Sequence, residues 1–79
     1  MSNNRPTFVA TFDDGEITRM TVYQCRVDAL DVGRGVRLAR HAYNSRKRTQ
    51  APPTLKTAHY ENGEHAVLRT YTAEQLAKL

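Results

Sequence analysis

One helical stripe between two strand-rich segments limits the folds open to this chain. Val32, Val36, Ala39 and Tyr43 recur at spacings of four, three and four residues, as on the apolar face of an amphipathic helix. Since 79 residues suffice for about one small domain, we expect residues 1–79 to form a single unit. The apolar face of the helix must then be buried against the strands that flank it.

The segment before the helix predicts a β-hairpin. Residues 7–12 and 17–24 are rich in β-branched and aromatic side chains and are separated by Asp13-Asp14-Gly15. A two-residue turn would place Arg19 on the apolar face of this hairpin. A three-residue loop with Gly15 in the left-handed bulge position avoids that, and we prefer it. The residues that would then face the helix are Phe8, Ala10, Phe12, Met20 and Val22.

The helix and the second hairpin have clear boundary signals. Asp28 and Asp31 offer N-cap oxygens, and Pro52-Pro53 prevents continuation beyond the connection, so we expect a helix from about 32 to 46 or slightly beyond. Asn62-Gly63 between two β-prone runs is a strong hairpin signal, with positive φ expected at glycine. The strands expected on either side of that turn are residues 55–60 and 65–71.

These elements predict an α+β fold of order ββαββ(α), with a four-stranded antiparallel sheet and the central helix packed on one face. Thr72 and Gln75 have the spacing of a capping box, which predicts a short terminal helix. Gly33 and Gly35 are costly inside a helix, and we expect them to permit close packing against a strand. The core expected from this arrangement joins Val36, Ala39 and Tyr43 to Phe8, Phe12, Met20, Val22 and Leu68.

Positive charge is concentrated in the middle of the chain. Twelve Lys and Arg against eight Asp and Glu give a net charge of +4, and no acidic residue lies between Asp31 and Glu61. Arginine suits phosphate and carboxylate groups, so this region predicts contact with nucleic acid or an acidic protein surface. The alternative is an ordinary solvated helix surface. The residues expected to bind are Arg34, Arg37, Arg40, His41, Arg46, Lys47 and Arg48.

A second candidate surface is the sheet face away from the helix. Aromatic and arginine side chains together suit either the stacking of single-stranded bases or a homodimer interface. The residues expected to lie together on this face are Arg19, Tyr23, Tyr60, Arg69 and Tyr71.

No motif in the sequence predicts catalysis, a cofactor or a metal ion. The Gly33-Arg34-Gly35 segment lacks the third glycine of a dinucleotide-binding fingerprint, because Leu38 stands in its place. His59 and His65 could approach each other across the second hairpin, but two histidines seldom make a structural zinc site. We therefore expect no enzyme and name no catalytic residue.

The single cysteine, Cys25, cannot form an internal disulfide and indicates a reducing compartment. The first four residues lead into no apolar segment of the kind a signal peptide needs, and the apolar runs are too short to span a membrane. The sequence therefore predicts a cytoplasmic protein without membrane contact.

In size, basicity and element order, the hairpin of residues 7–24, the basic helix of 32–48 and the hairpin of 55–71 resemble small, non-enzymatic proteins encoded by phages and mobile elements, including anti-CRISPR inhibitors. They equally resemble small bacterial housekeeping proteins. The first resemblance implies inhibition by steric blockade of a nucleic-acid-binding complex, and neither resemblance assigns a site residue.

The function expected from the sequence is a non-catalytic binding module that uses its arginine-rich helix to contact a polyanionic or acidic partner. Direct binding of DNA or RNA is the alternative. A small enzyme acting on an anionic substrate is the least favoured, because no acid and base can be paired from the sequence.

Overall fold

The computed structural model describes residues 5–79, which form four strands and two helices. The strands make one antiparallel sheet in the order β2-β1-β3-β4. The predicted α+β class and the order ββαββ(α) are confirmed, while the expectation about residues 1–4 lies outside the described residues. In chain order the elements are β1 (Thr7–Phe12), β2 (Ile17–Thr21), α1 (Val32–Lys47), β3 (Leu55–Glu61), β4 (Val67–Tyr71) and α2 (Ala73–Ala77).

The first hairpin has the predicted three-residue loop. Phe8 pairs with Met20, and the backbone N–H of Gly15 donates to the carbonyl of Phe12 at 2.9 Å. Gly15 has φ 91°, which favours glycine over any residue with a side chain. Strand β2 ends at Thr21, earlier than expected, because the chain turns immediately afterwards.

The second hairpin has the same kind of loop, but glycine is not the residue with positive φ. The N–H of His65 donates to the carbonyl of Asn62 at 3.1 Å, and His65 has φ 67°. The Asn62 side chain accepts from the N–H groups of Glu64 and Ala66 and so stabilises the loop. The expectation of positive φ at Gly63 is wrong, since a three-residue loop replaces the two-residue Asn-Gly turn.

Helix α1 has the bounds that its N-cap and apolar stripe predict. The Asp31 carboxylate accepts from the N–H of Arg34 at 3.2 Å, and Arg48 ends the helix in the left-handed conformation. Val36, Ala39 and Tyr43 are buried, as predicted. At the other end of the chain, α2 has the predicted capping box of Thr72 and Gln75, whose backbone N–H groups each donate to the other's side chain.

Both helices pack on the same face of the sheet, which we call the covered face. Leu76 of α2 belongs to the same buried cluster as Phe8 and Val36. Leu68, expected in this core, is 39% exposed, because the β3–β4 pairing shifts between Tyr60 and Glu61 and β4 lies at the sheet edge. Neither helix within residues 5–79 is long and apolar enough to cross a membrane.

Helix α1 approaches β1 closely at Gly35. A Cβ atom there would lie 2.5 Å from Cδ1 and 2.7 Å from Cγ of Phe8. At Gly33 a Cβ would meet only the Asp31 carboxylate, at 3.4 Å. Close packing against a strand is therefore confirmed for Gly35 and not for Gly33.

Gly35→Ala is expected to lower the free energy of unfolding by about 1–3 kcal/mol, because the added methyl displaces the helix or the Phe8 ring. Gly33→Ala, the matched control, should be neutral or should stabilise by up to about 1 kcal/mol through helix propensity. Urea unfolding followed by circular dichroism measures both. Equal effects of the two substitutions would contradict the close approach at Gly35.

Gly15→Ala is expected to destabilise the protein by about 1–2 kcal/mol, because alanine is disfavoured at positive φ. Gly63→Ala should change stability by less than about 0.5 kcal/mol, since a Cβ at Gly63 would have no atom within 4 Å and Gly63 does not have positive φ. Thermal unfolding midpoints of the two variants test this difference.

Candidate functional site

The side of α1 that faces away from the sheet carries a row of basic residues. Arg34, Arg37 and His41 follow spacings of three and four residues, opposite the buried stripe, and Arg48 is the C-cap residue just beyond the end of the helix. Arg37, His41 and Arg48 are exposed and Arg34 is half-buried. Among residues 5–79, no side chain forms an ion pair with these four, which we call the outer stripe.

Two of the predicted binding residues have a different position. Lys47 lies 2.6 Å from one carboxylate oxygen of Glu16, and Arg46 lies 3.4 Å from the other. Both side chains therefore reach from the last turn of α1 to the end of the first hairpin loop. Their charges are partly neutralised and help to hold the helix on the sheet.

The carboxylates of the first hairpin loop also help to hold α1 on the sheet. The Tyr43 hydroxyl donates to Asp14 at 2.5 Å, which lowers the pKa of Asp14 and raises that of Tyr43. Asp13 accepts a hydrogen bond from Thr54. Together with the ion pairs of Glu16, these hydrogen bonds connect the first hairpin both to α1 and to the residue that precedes β3.

Arg40 occupies the flank of α1 that faces α2. It lines a cavity of about 310 Å³ with Arg37, Val36 and Leu79, and a second cavity of about 190 Å³ with residues of α2. The residue is half-buried. Arg40 therefore borders the outer stripe without belonging to it.

The predicted aromatic face does not exist, because two of its tyrosines are in the core. Tyr60 is fully buried and Tyr71 is 8% exposed, both on the covered face. Tyr60 pairs directly with Phe8, so the two side chains point to the same side of the sheet. Tyr23 is exposed in the turn after β2, and Arg69 is exposed on the edge strand β4.

The buried tyrosines have structural contacts. The Tyr60 hydroxyl donates to the carbonyl of Asp31 at 2.6 Å and accepts from the Cys25 thiol at 3.8 Å. Burial raises the pKa of both Tyr60 and Tyr71. Tyr60 thus ties β3 to the start of α1, and Cys25 is a buried, free cysteine.

The face opposite both helices, which we call the open face, carries a charged cluster that the sequence reasoning missed. Arg19 lies 2.5 Å from Oε1 of Glu61, and His59 lies 2.7 Å from Oε2. His65 approaches Oε1 through Nδ1 at 3.4 Å. We call Arg19, His59, Glu61 and His65 the Glu61 cluster.

Sheet geometry explains this convergence. His59 and Glu61 are two residues apart in β3 and therefore share a face. Val9 of β1 pairs with Arg19 on one side and with His59 on the other, and it is buried between them. Arg19 thus reaches across β1 to Glu61. The His59-x-Glu61 spacing was the available sequence signal, but its importance depended on the strand order.

Glu61 is the electrostatic centre of the cluster. Hydrogen bonds from His59, and then from Arg19 and His65, lower the pKa of the Glu61 carboxyl to about 2 despite its burial. The side chain is only 8% exposed, whereas that of His65 is 76% exposed. The cluster therefore holds a fixed carboxylate beneath groups that solvent can reach.

Among residues 5–79, no group of three His, Cys, Asp or Glu side chains is placed to hold one metal ion. The two histidines of the Glu61 cluster contact different oxygens of the same carboxylate. Imidazole, guanidinium and carboxylate groups placed in this way can form hydrogen bonds and exchange protons.

Glu61→Gln is expected to remove part of the stability that the protein has above pH 4.5. Since the folded-state pKa of about 2 lies below the ordinary value of 4.5, the ionised carboxylate stabilises the fold above pH 4.5. That contribution is lost as the pH falls towards 2. Urea unfolding at several pH values should therefore show the wild type and Glu61→Gln converging in acid.

Glu64→Gln is the control for this measurement, because Glu64 belongs to the same hairpin but has no ion pair within the described residues. Its stability should follow that of the wild type at every pH. A constant difference between the wild type and Glu61→Gln from pH 6 to pH 2 would contradict the assigned role of Glu61.

No family model, curated protein or solved structure matches this chain. No relative therefore assigns a role to the outer stripe or to the Glu61 cluster.

Proposed function

We propose that the protein is a binding module that uses the outer stripe of α1 to contact a polyanionic or acidic surface. The observation that carries this proposal is the positive charge of Arg34, Arg37 and Arg48, which have no ion-pair partner among residues 5–79. No acidic residue lies between Asp31 and Glu61, so α1 carries none. Contact of this kind requires no catalytic step.

The spacing of the outer stripe suits an extended anionic surface. From Arg34 to the last helical residue, Lys47, the helix rises about 20 Å, at 1.5 Å per residue, and Arg48 follows at its C-cap. The planar guanidinium groups can each donate two hydrogen bonds to a phosphate or carboxylate. Arg46 and Lys47, which contact Glu16, take no part in the proposed contact.

The partner in this proposal is an acidic protein surface, and the protein acts as a small inhibitor that blocks a nucleic-acid-binding complex by binding to such a surface on it. The small size, the basicity and the ββαββ order support this reading by resemblance alone. Direct binding of DNA or RNA is the second candidate, because arginines on an exposed helix also suit phosphates. The buried free thiol of Cys25 fits the cytoplasm, which we include in the proposal.

Homodimerisation stays a separate proposal. The open face is the surface that remains for a second copy, because within the described residues neither helix covers it. Tyr60 and Tyr71 cannot supply the contact that the sequence suggested, since both are buried on the covered face.

Charge reversal of Arg34, Arg37 and Arg48 to glutamate is expected to abolish binding to heparin, and binding to duplex DNA and RNA if the second candidate holds, while leaving the protein folded. Binding by the wild type should weaken steeply with salt, with a slope of about −0.9 per neutralised phosphate for duplex DNA. Fluorescence anisotropy at several salt concentrations measures the affinities, and circular dichroism confirms the fold.

The control variant reverses Arg26, Lys56 and Lys78, which changes the net charge by the same amount on other surfaces. It should keep most of the affinity. If both variants lose binding equally, total charge and not the outer stripe determines affinity. If the wild type binds heparin but neither DNA nor RNA, the second candidate is eliminated and an acidic protein surface remains.

A further inference from the structure

The Glu61 cluster has no part in the proposed contact of α1, yet its side chains are of the kinds that transfer protons and bind anions. Two imidazoles flank one buried carboxylate, and a guanidinium lies beside them. All four side chains are on the open face, which neither helix covers within residues 5–79. Imidazole is the side chain that most often gives and takes protons in enzymes at neutral pH.

We propose that the Glu61 cluster cleaves RNA by metal-independent acid–base catalysis, with His59 as the general base, His65 as the general acid and Arg19 as the phosphate-binding group. This goes beyond the proposed binding function, which needs none of these residues. It also replaces the expectation that the chain contains no catalytic set.

His59 has the geometry of a base held in one tautomer. Its Nε2 lies 2.7 Å from Oε2 of Glu61, so an N–H on Nε2 donates to the carboxylate and leaves the lone pair on Nδ1. The adjacent carboxylate stabilises the imidazolium that forms when Nδ1 takes a proton. Glu61 is a positioning residue, because it orients the base and does not itself touch substrate.

His65 occupies a backbone position that would otherwise suit glycine. Its φ of 67° corresponds to the place of Gly15 in the first hairpin loop, where the same hydrogen bonds occur. The strained position brings Nδ1 to 3.4 Å from Oε1 of Glu61 while the side chain stays 76% exposed. Protonated His65 can therefore donate to Glu61 through Nδ1 and present Nε2–H to a leaving group.

Arg19 can bind a phosphate while it contacts Glu61. One guanidinium nitrogen, NH1, lies 2.5 Å from Oε1, and the side chain is 51% exposed. A guanidinium has five N–H donors, so several stay available for the non-bridging oxygens of a phosphodiester. Those donors stabilise the charge that develops on the phosphate during reaction.

The substrate must bring its own nucleophile, because none of the four side chains is one. RNA does so, since a 2′-hydroxyl neighbours each phosphate. His59 accepts the 2′-hydroxyl proton as the 2′-oxygen bonds to phosphorus, and His65 protonates the departing 5′-oxygen as its bond to phosphorus breaks. The products are a 2′,3′-cyclic phosphate and a 5′-hydroxyl, and proton exchange with water restores both histidines.

The test uses a fluorescein-labelled oligouridine incubated with the full chain in EDTA, with the products separated by electrophoresis and the cyclic phosphate identified by mass spectrometry. The wild type should release 2′,3′-cyclic phosphate ends from RNA and leave the corresponding DNA intact. His59→Gln and Arg19→Ala should each lower kcat/KM by about a hundredfold or more.

His65→Gly is the most informative variant, because glycine accepts the left-handed conformation and should keep the hairpin folded. It should lose activity by a similar factor with no loss of thermal stability. Glu61→Gln should lower kcat with little change in KM, as expected for a residue that positions the base. Glu74→Gln on α2 should retain full activity.

Equal RNA cleavage by the wild type, His59→Gln and His65→Gly would overturn the proposal, since a contaminating nuclease would then be responsible. Absence of cleavage by folded wild type would overturn it as well. In either case the binding function of the outer stripe is unaffected, because it is measured with separate variants and without turnover.

Discussion

The packing of α1 depends on the absence of a side chain at Gly35. The Phe8 ring occupies the space that a Cβ would take, so the helix backbone rests directly on β1. This close approach sets the distance between the sheet and the N-terminal half of the helix, where the Tyr60 hydroxyl also donates a hydrogen bond to the Asp31 carbonyl. At that distance Val36, Ala39 and Tyr43 lie in the core, and the opposite side of the helix faces outward. The exposure of the outer stripe is therefore a consequence of a packing contact on the other side of the helix.

The C-terminal half of α1 is held by different interactions. Tyr43 bonds to Asp14, and Arg46 and Lys47 pair with Glu16, all at the first hairpin loop. Burial dominates at one end of the helix and charged hydrogen bonds dominate at the other. Basic residues in one sequence cluster thus divide into those that attach the helix and those that stay available to a partner.

Local sequence signals predicted the elements well because they act over short distances. The Asp31 cap, the apolar stripe of α1, the Gly15 loop and the Thr72 capping box each involve residues a few positions apart. The relation between the two hairpins has no such local signal. Pairing of β1 with β3 decides which side of β3 faces the helix. It places Tyr60 on the covered face and Glu61 on the open face. The prediction of a tyrosine face was therefore wrong, and the Glu61 cluster was missed, for the same reason: no local signal reveals how β1 pairs with β3.

The strand order also has a consequence for how the molecule assembles. Each hairpin is local, but the central pair β1–β3 joins strands separated by residues 13–54, so it forms only after a long loop closes. Until then β1 and β3 each present an unpaired edge. The connection after α1 contains two prolines, which stiffen it. Two chains that meet at this stage can exchange their second hairpins and form every β1–β3 hydrogen bond between molecules, so domain swapping is the characteristic misassembly of this topology.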